Sequence, residues 1–120
     1  LIDTMQSLDC PVITVGEGVV ASMAAVILAC GDHRQVYRHT QVLIHQLMGG
    51  TGMAQQTDIE IVAQHTAAMR AELDELLAEH GNLSAQEFHE LTERDCWCNA
   101  RRALELGLVD EVIAPSKKAL

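Results

Sequence analysis

Aromatic side chains are almost missing from this chain: one Trp, one Tyr and one Phe in 120 residues. Stacking-type binding of nucleic acid needs aromatic platforms, and Trp97, Tyr37 and Phe88 cannot supply a row of them. Positive charge is scarce as well: 8 Lys and Arg stand against 17 Asp and Glu, a formal net charge of −9. Phosphate recognition needs a basic face, so no nucleic-acid partner is expected, and no attraction to an anionic membrane. Long apolar runs are lacking too. The longest, Val19 to Cys30, is about a dozen residues and is broken by Ser22, short of a membrane span. No signal-peptide pattern is present, and the chain opens on Leu1-Ile2-Asp3-Thr4-Met5 as though already inside a helix. That opening reads as a fragment or a processed chain.

The four cysteines make no framework. Cys10 precedes Pro11, Cys30 ends an apolar helix, and Cys96-Trp97-Cys98 has one intervening residue instead of the two of zinc or redox pairs. Reduced thiols in a cytosol-like compartment are expected. No pair of histidines has metal-ligand spacing with an acid nearby, so no metal site is expected. The glycines at 49, 50 and 52 are not followed by Gly-Lys-Ser/Thr, which excludes a phosphate-binding P-loop.

What is present is an aliphatic chain, 48% hydrophobic, of single-domain length. Leu1, Ile2, Met5 and Leu8 recur at helical spacing before Pro11. Val12 to Val15 reads as a strand buried on both faces, Gly16 and Gly18 as a turn, and Met23 to Cys30 as a helix apolar all round. Arg34–Arg38 and Gln41–His45 read as two further strands. From Ala54 to His80 no Gly or Pro interrupts a helical run with an apolar stripe of Ile59, Val62, Met69, Leu73, Leu76 and Leu77. Asp58, Glu60, Glu72, Asp74, Glu75 and Glu79 fall on its other faces. At about 40 Å this helix outgrows a domain of this size and points to a partner subunit, with a plain surface helix as the alternative; Gly81 is read as its C′ residue. Ser84 and Glu87 have capping-box spacing, Asn99 caps a last helix ending before Gly107, and Leu108 to Ile113 is a final strand. The alternation of strands and helices predicts an α/β domain over residues 1–114, with a polar tail over 115–120.

Two residues stand out chemically. Ser22 sits at the mouth of the apolar helix among small neighbours, where an N-cap is the plain alternative to a nucleophile. His45 ends an apolar strand just before the glycine loop, whereas His33, His39, His65, His80 and His89 read as surface residues. A serine nucleophile needs a base such as histidine, and the base needs an acid to hold its tautomer.

The segments Glu17-Gly18-Val19-Val20-Ala21-Ser22-Met23, Leu43-Ile44-His45-Gln46-Leu47-Met48-Gly49-Gly50, Thr92-Glu93-Arg94-Asp95 and Ala103 to Asp110 occur in one order. In that order, and in Gln56 to Ile61 as well, the chain resembles the Clp protease proteolytic-subunit family over nearly its whole length. The resemblance implies a Clp/crotonase-like α/β fold with a protruding handle helix. It implies Ser22 as nucleophile, His45 as general base, Asp95 as the acid orienting His45, and the Met23 backbone N–H as an oxyanion donor. Gly49 and Gly50 would lie in a strand against the extended substrate. It also implies hydrolysis of unfolded polypeptides in the cytoplasm or an organellar matrix, inside two stacked heptameric rings fed by an AAA+ unfoldase. That partner, not this subunit, would consume ATP, and no cofactor would be needed here. A further N-terminal region, with a glycine turn giving a second oxyanion N–H, would precede Leu1.

The pattern departs at Ala24, where the family usually has glycine, at Leu47, where it has proline, and over Cys96 to Asn99. A catalytically inactive structural subunit of a mixed ring is the alternative these departures favour. An acyl-CoA enzyme of the crotonase fold is a third reading, but no acidic catalytic pair supports it.

Overall fold

The computed structural model describes residues 1–114; the expected tail, 115–120, lies outside the described residues. The chain runs α1 (Ile2–Gln6), β1 (Ile13–Gly16), β2 (Val19–Ala21), α2 (Met23–Ala29), β3 (His33–Tyr37), β4 (Gln41–Ile44), α3 (Gln56–His80), α4 (Ala85–Leu91), β5 (Cys96–Asn99), α5 (Ala100–Glu105) and β6 (Glu111–Ile113). The α/β expectation holds, in the form of two three-stranded sheets. In one, β3 lies between β1 and β6, all parallel; in the other, β4 has β2 parallel on one side and β5 antiparallel on the other.

The core lies around α2, which packs on β1, β2, β4 and α3. Ala25, Val26, Leu28 and Ala29 of that helix are buried with Val36, Val42, Ile44, Leu77, Phe88, Cys98 and Leu108. Met23 and Ala24 are exposed, so α2 is not apolar-buried all round. Because Ala24 faces outward, its methyl crowds nothing in the core. The expectation that β1 is buried on both faces is also corrected: Ile13 and Val15 are 59% and 50% exposed. Its side chains alternate, and only one face meets α2.

Two strands were hidden. β2 is a three-residue strand that merges into the apolar run of α2. β5 is built on Cys-Trp-Cys-Asn, where Cys98 is buried while Trp97 is 56% exposed. All four cysteines are free, and burial first, then Cys96, pushes the Cys98 thiol up to about 12. That keeps it protonated and inert.

Helix α3 has 25 residues, roughly 37 Å of helix. Its C-terminal half is anchored through Leu73, Leu76 and Leu77, while Ile59, Ile61, Val62 and Met69 stay exposed. Asp74, read as lying off the apolar stripe, is buried. Gly81 caps α3 in an extended conformation, φ −102°, not the left-handed one expected of a C′ glycine. Glycine is needed there for space: a Cβ would come within 2.7 Å of Phe88 Cζ and 2.8 Å of the Leu77 carbonyl oxygen. Gly107 does adopt a left-handed conformation, φ 72°, and terminates the turn after α5.

The caps form as read. Ser84 Oγ accepts from Glu87 N–H at 3.1 Å, and Glu87 Oε2 accepts from Ser84 N–H at 2.8 Å. Asn99 Oδ1 accepts from Arg102 N–H at 2.9 Å. Ser84→Ala is expected to cost about 1 kcal/mol, read as a lower midpoint in urea denaturation.

Buried Arg34 ties the C-terminal ends of α2 and α3 to the turn after α5 and to Asp110. Its guanidinium donates to the carbonyls of Ala29, His80 and Gly107 at 3.1, 2.8 and 2.7 Å, and to both Asp110 oxygens at 3.0 and 2.6 Å. Hydrogen bonds from the Arg34 side chain first, then from its backbone N–H, hold the Asp110 carboxyl below the usual carboxylate range. A carboxyl depressed by folding stabilises above its unfolded pKa of about 4, and that contribution is lost as pH falls through the folded value. The melting temperature is therefore expected to fall more steeply below about pH 4 in the parent than in Asp110→Asn.

Candidate active site

Strand β4 positions the three candidate residues, because β2 ends just before Ser22 and β5 begins just after Asp95. Parallel β2 pairs Ala21 with Leu43, and Ser22 N–H continues the ladder to the Leu43 carbonyl at 2.9 Å. Antiparallel β5 pairs Ile44 with Cys96. Continuing that register by one residue sets His45 opposite Asp95. Ser22 and Asp95 thus flank the end of one strand, and His45 follows that strand directly.

Ser22 is the one non-glycine residue with positive φ among the described residues, at φ 60° and ψ −128°. It is at the N-cap position, yet its side chain makes no capping hydrogen bond, so the N-cap reading fails for the hydroxyl. The backbone holds the conformation instead. Ser22 N–H is tied to β4, and the Ser22 carbonyl accepts from Ala25 and Val26 N–H at 3.0 and 3.4 Å. Strain of this kind costs on the order of 1–3 kcal/mol and persists where the surroundings impose it. Met23 occupies the first helical position, where the helix supplies no acceptor for its N–H.

Ser22 and His45 line one cavity of about 260 Å³, with Met23, Val26, Ile44 and Leu73 among its walls. His45 and Asp95 line an adjoining opening with Thr92 and Glu93. No hydrogen bond joins the three side chains. His45 Nδ1 lies 2.6 Å from the Gln46 carbonyl oxygen, a contact that favours the tautomer with its proton on Nδ1. Asp95 is exposed and its carboxylate has no partner among the described residues.

Gln46 is clamped three ways. Its N–H donates to the Thr92 carbonyl at 3.0 Å, its Nε2 to the Glu93 carbonyl at 2.8 Å, and its Oε1 accepts from Arg70 at 2.9 Å. Arg70 also reaches the His89 carbonyl and Glu93 Oε2, at 3.0 and 3.1 Å. The residue after the histidine is therefore bolted to the two residues that open the Thr92–Asp95 segment, and both to α3. Sequence reasoning missed Arg70. As the single Lys or Arg in α3, beside an apolar stripe, it was the signal available.

Gly49 and Gly50 are exposed and lie outside any strand, contrary to expectation. Over residues 47–52 no backbone group bonds another backbone group among the described residues, and the one side-chain bond to that backbone is from Thr51 Oγ1 to the Gly52 carbonyl at 3.0 Å. They border a groove shared with Val62, Thr66 and Ala67 of α3. The expectation of surface histidines also fails at two positions: His80 and His89 are half-buried, and His89 Nδ1 lies 2.7 Å from Asp74 Oδ2. No group of three or more His, Cys, Asp or Glu among the described residues could hold a metal ion, and no helix there is long and apolar enough to cross a membrane.

A strained, exposed serine between strand and helix, with a histidine in the same cavity, is the local architecture of serine hydrolases. The chain belongs to the Clp protease family, whose model matches residues 1–116. It is 40% identical over 119 residues to the ATP-dependent Clp protease proteolytic subunit of Streptococcus sanguinis, covering 97% of this chain and 61% of that relative. It is 38% identical over 116 residues to the subunit of the same description from Lactococcus lactis subsp. cremoris, covering 94% and 58%. It thus spans about three-fifths of the length of these relatives.

Proposed function

We propose that residues 1–114 form the serine endopeptidase domain of an ATP-dependent compartmental protease, with Ser22 as nucleophile, His45 as general base and Asp95 as the orienting acid. The observation that carries this reading is the backbone strain at Ser22, which the fold maintains without any capping bond for the hydroxyl. In the attack, Ser22 Oγ bonds to the peptide carbonyl carbon while His45 Nε2 takes its proton. The developing oxyanion is met by the Met23 N–H. His45 then protonates the leaving amine, and water, deprotonated by His45, releases the acyl group. With its proton held on Nδ1 by the Gln46 carbonyl, His45 already presents Nε2 as the base. Engagement of Asp95 requires His45 to exchange that carbonyl for the carboxylate.

The backbone of Gly49 and Gly50, which bonds no other backbone group among the described residues, suits an extended polypeptide, because strand addition reads main chain and ignores side-chain identity. Unfolded polypeptides are the substrate class that such pairing serves. The exposed Ile59, Ile61, Val62 and Met69 of α3 suit burial against a second ring of subunits. On this reading the particle is two stacked heptameric rings in the cytoplasm, no cofactor binds this subunit, and an AAA+ unfoldase consumes the ATP.

A second reading, an inactive structural subunit of a mixed ring, is favoured by the lack of any Ser22–His45–Asp95 hydrogen bond. Peptide hydrolysis by the assembled protein separates the two. His45→Ala and Asp95→Asn are each expected to lower kcat/KM by at least about a hundredfold. Parent protein that folds and assembles yet hydrolyses nothing would establish the structural reading.

A further inference from the structure

Arg70 joins the two segments that the proposed chemistry has to bring together. From α3 its Nη1 donates to Gln46 Oε1 at 2.9 Å, and its Nη2 donates to Glu93 Oε2 at 3.1 Å. Gln46 directly follows His45, and Glu93 stands two residues before Asp95. The segments also hold each other, through Gln46 Nε2 to the Glu93 carbonyl at 2.8 Å and Gln46 N–H to the Thr92 carbonyl at 3.0 Å. One guanidinium thus closes a ring of hydrogen bonds beside the place where His45 would meet Asp95. Keeping it there is costly. The Arg70 side chain is 16% exposed, and its Nε is buried with no acceptor among the described residues. A buried donor left unpaired destabilises a fold. A methionine would pack the same apolar stem against α3 without that cost, so support of the fold does not account for the guanidinium.

We infer that Arg70 is a positioning residue for His45 and Asp95, acting through Gln46 and Glu93. The inference rests on Ser22 being the nucleophile. His45 Nδ1 lies 2.6 Å from the Gln46 carbonyl oxygen, and the proposed mechanism turns it from that carbonyl to the Asp95 carboxylate. With Gln46 and Glu93 held on one planar fork, both acceptors keep set places, and the exchange is a rotation of the imidazole alone. Without the fork, the segment after β4 and the segment before β5 are free to shift apart. A misplacement of about 1 Å is enough to lose about a hundredfold in rate. Lysine carries its charge as a point and does not span two acceptors in this way.

The test uses the assembled protein, with Ser22 titrated by a fluorophosphonate so that rates are expressed per labelled site. Arg70→Met is expected to lower kcat for an unstructured model peptide about ten- to a hundredfold, with KM within about twofold of the parent. Labelling of Ser22 should slow by a like factor. The melting temperature should stay within about 5 °C of the parent's, whereas a residue that only supports the fold would move stability and not the rate per site. Arg70→Lys should fall between the two, and its full recovery of kcat would overturn the fork. Gln46→Met breaks the same link from the other end, and the double variant should be no slower than the slower single one. Should Arg70→Met not fold, Gln46→Met decides alone. Parent-like kcat in either folded variant, or a raised KM at unchanged kcat, overturns the inference and leaves the serine reading standing. If Ser22 of the parent takes no label, the serine reading falls and the positioning role falls with it.

Discussion

Replacing Ser22 by alanine is expected to abolish peptide hydrolysis, lowering kcat by about four to six orders of magnitude. The backbone around Ser22 is fixed by its N–H bond to Leu43 and by its carbonyl at the head of α2, so alanine would leave the turn in place. The loss would then be that of the attacking oxygen, not of the fold, and circular dichroism and the melting curve should be nearly those of the parent. A double Ser22→Ala, His45→Ala protein should be no slower than the single variants, because the two groups act as one unit. Additive losses would mean that Ser22 and His45 work separately and would count against the mechanism.

The second large effect concerns stability. Arg34→Leu is expected to destabilise the protein by about 3–5 kcal/mol, on the order of 10–20 °C in melting temperature. The reason is less the ion pair, whose Asp110 end is 37% exposed, than the three carbonyls that lose their donor. Those of Ala29, His80 and Gly107 close α2, α3 and the turn after α5, so one side chain fastens two helix ends and a turn. Arg34→Lys should recover part of the loss, since an ammonium keeps the charge but cannot span the same fork. A fully stable leucine variant would show that water satisfies these carbonyls without help.

Local signals were legible in the sequence because a few adjacent residues settle them. The capping pairs Ser84–Glu87 and Asn99–Arg102, the stop at Gly107 and the uninterrupted run of α3 are of that kind. Features decided by tertiary contact were not. Strand β2 is three residues long and continuous with an apolar helix, and β5 contains no β-branched residue, so only pairing with β4 reveals either. Asp74 reads as one more acid on an acidic helix until His89, fifteen positions away, meets it. Arg34 looks like a polar strand residue, and nothing near it in the chain announces the carbonyls it collects. Of the site, composition offered only a serine at a helix mouth and a histidine after a strand. The grouping of Ser22, His45 and Asp95 came from the family resemblance, and the register of β2 and β5 about β4 supplies its physical reason.

The central claim is that Ser22 is a nucleophile activated by His45. Treating the assembled protein with a fluorophosphonate and locating the adduct by tandem mass spectrometry tests it most directly. The account predicts one phosphonylated residue, Ser22, and loss of that adduct in His45→Ala. An unmodified Ser22 in a folded, assembled particle, or equal labelling of Ser22 without His45, would contradict it.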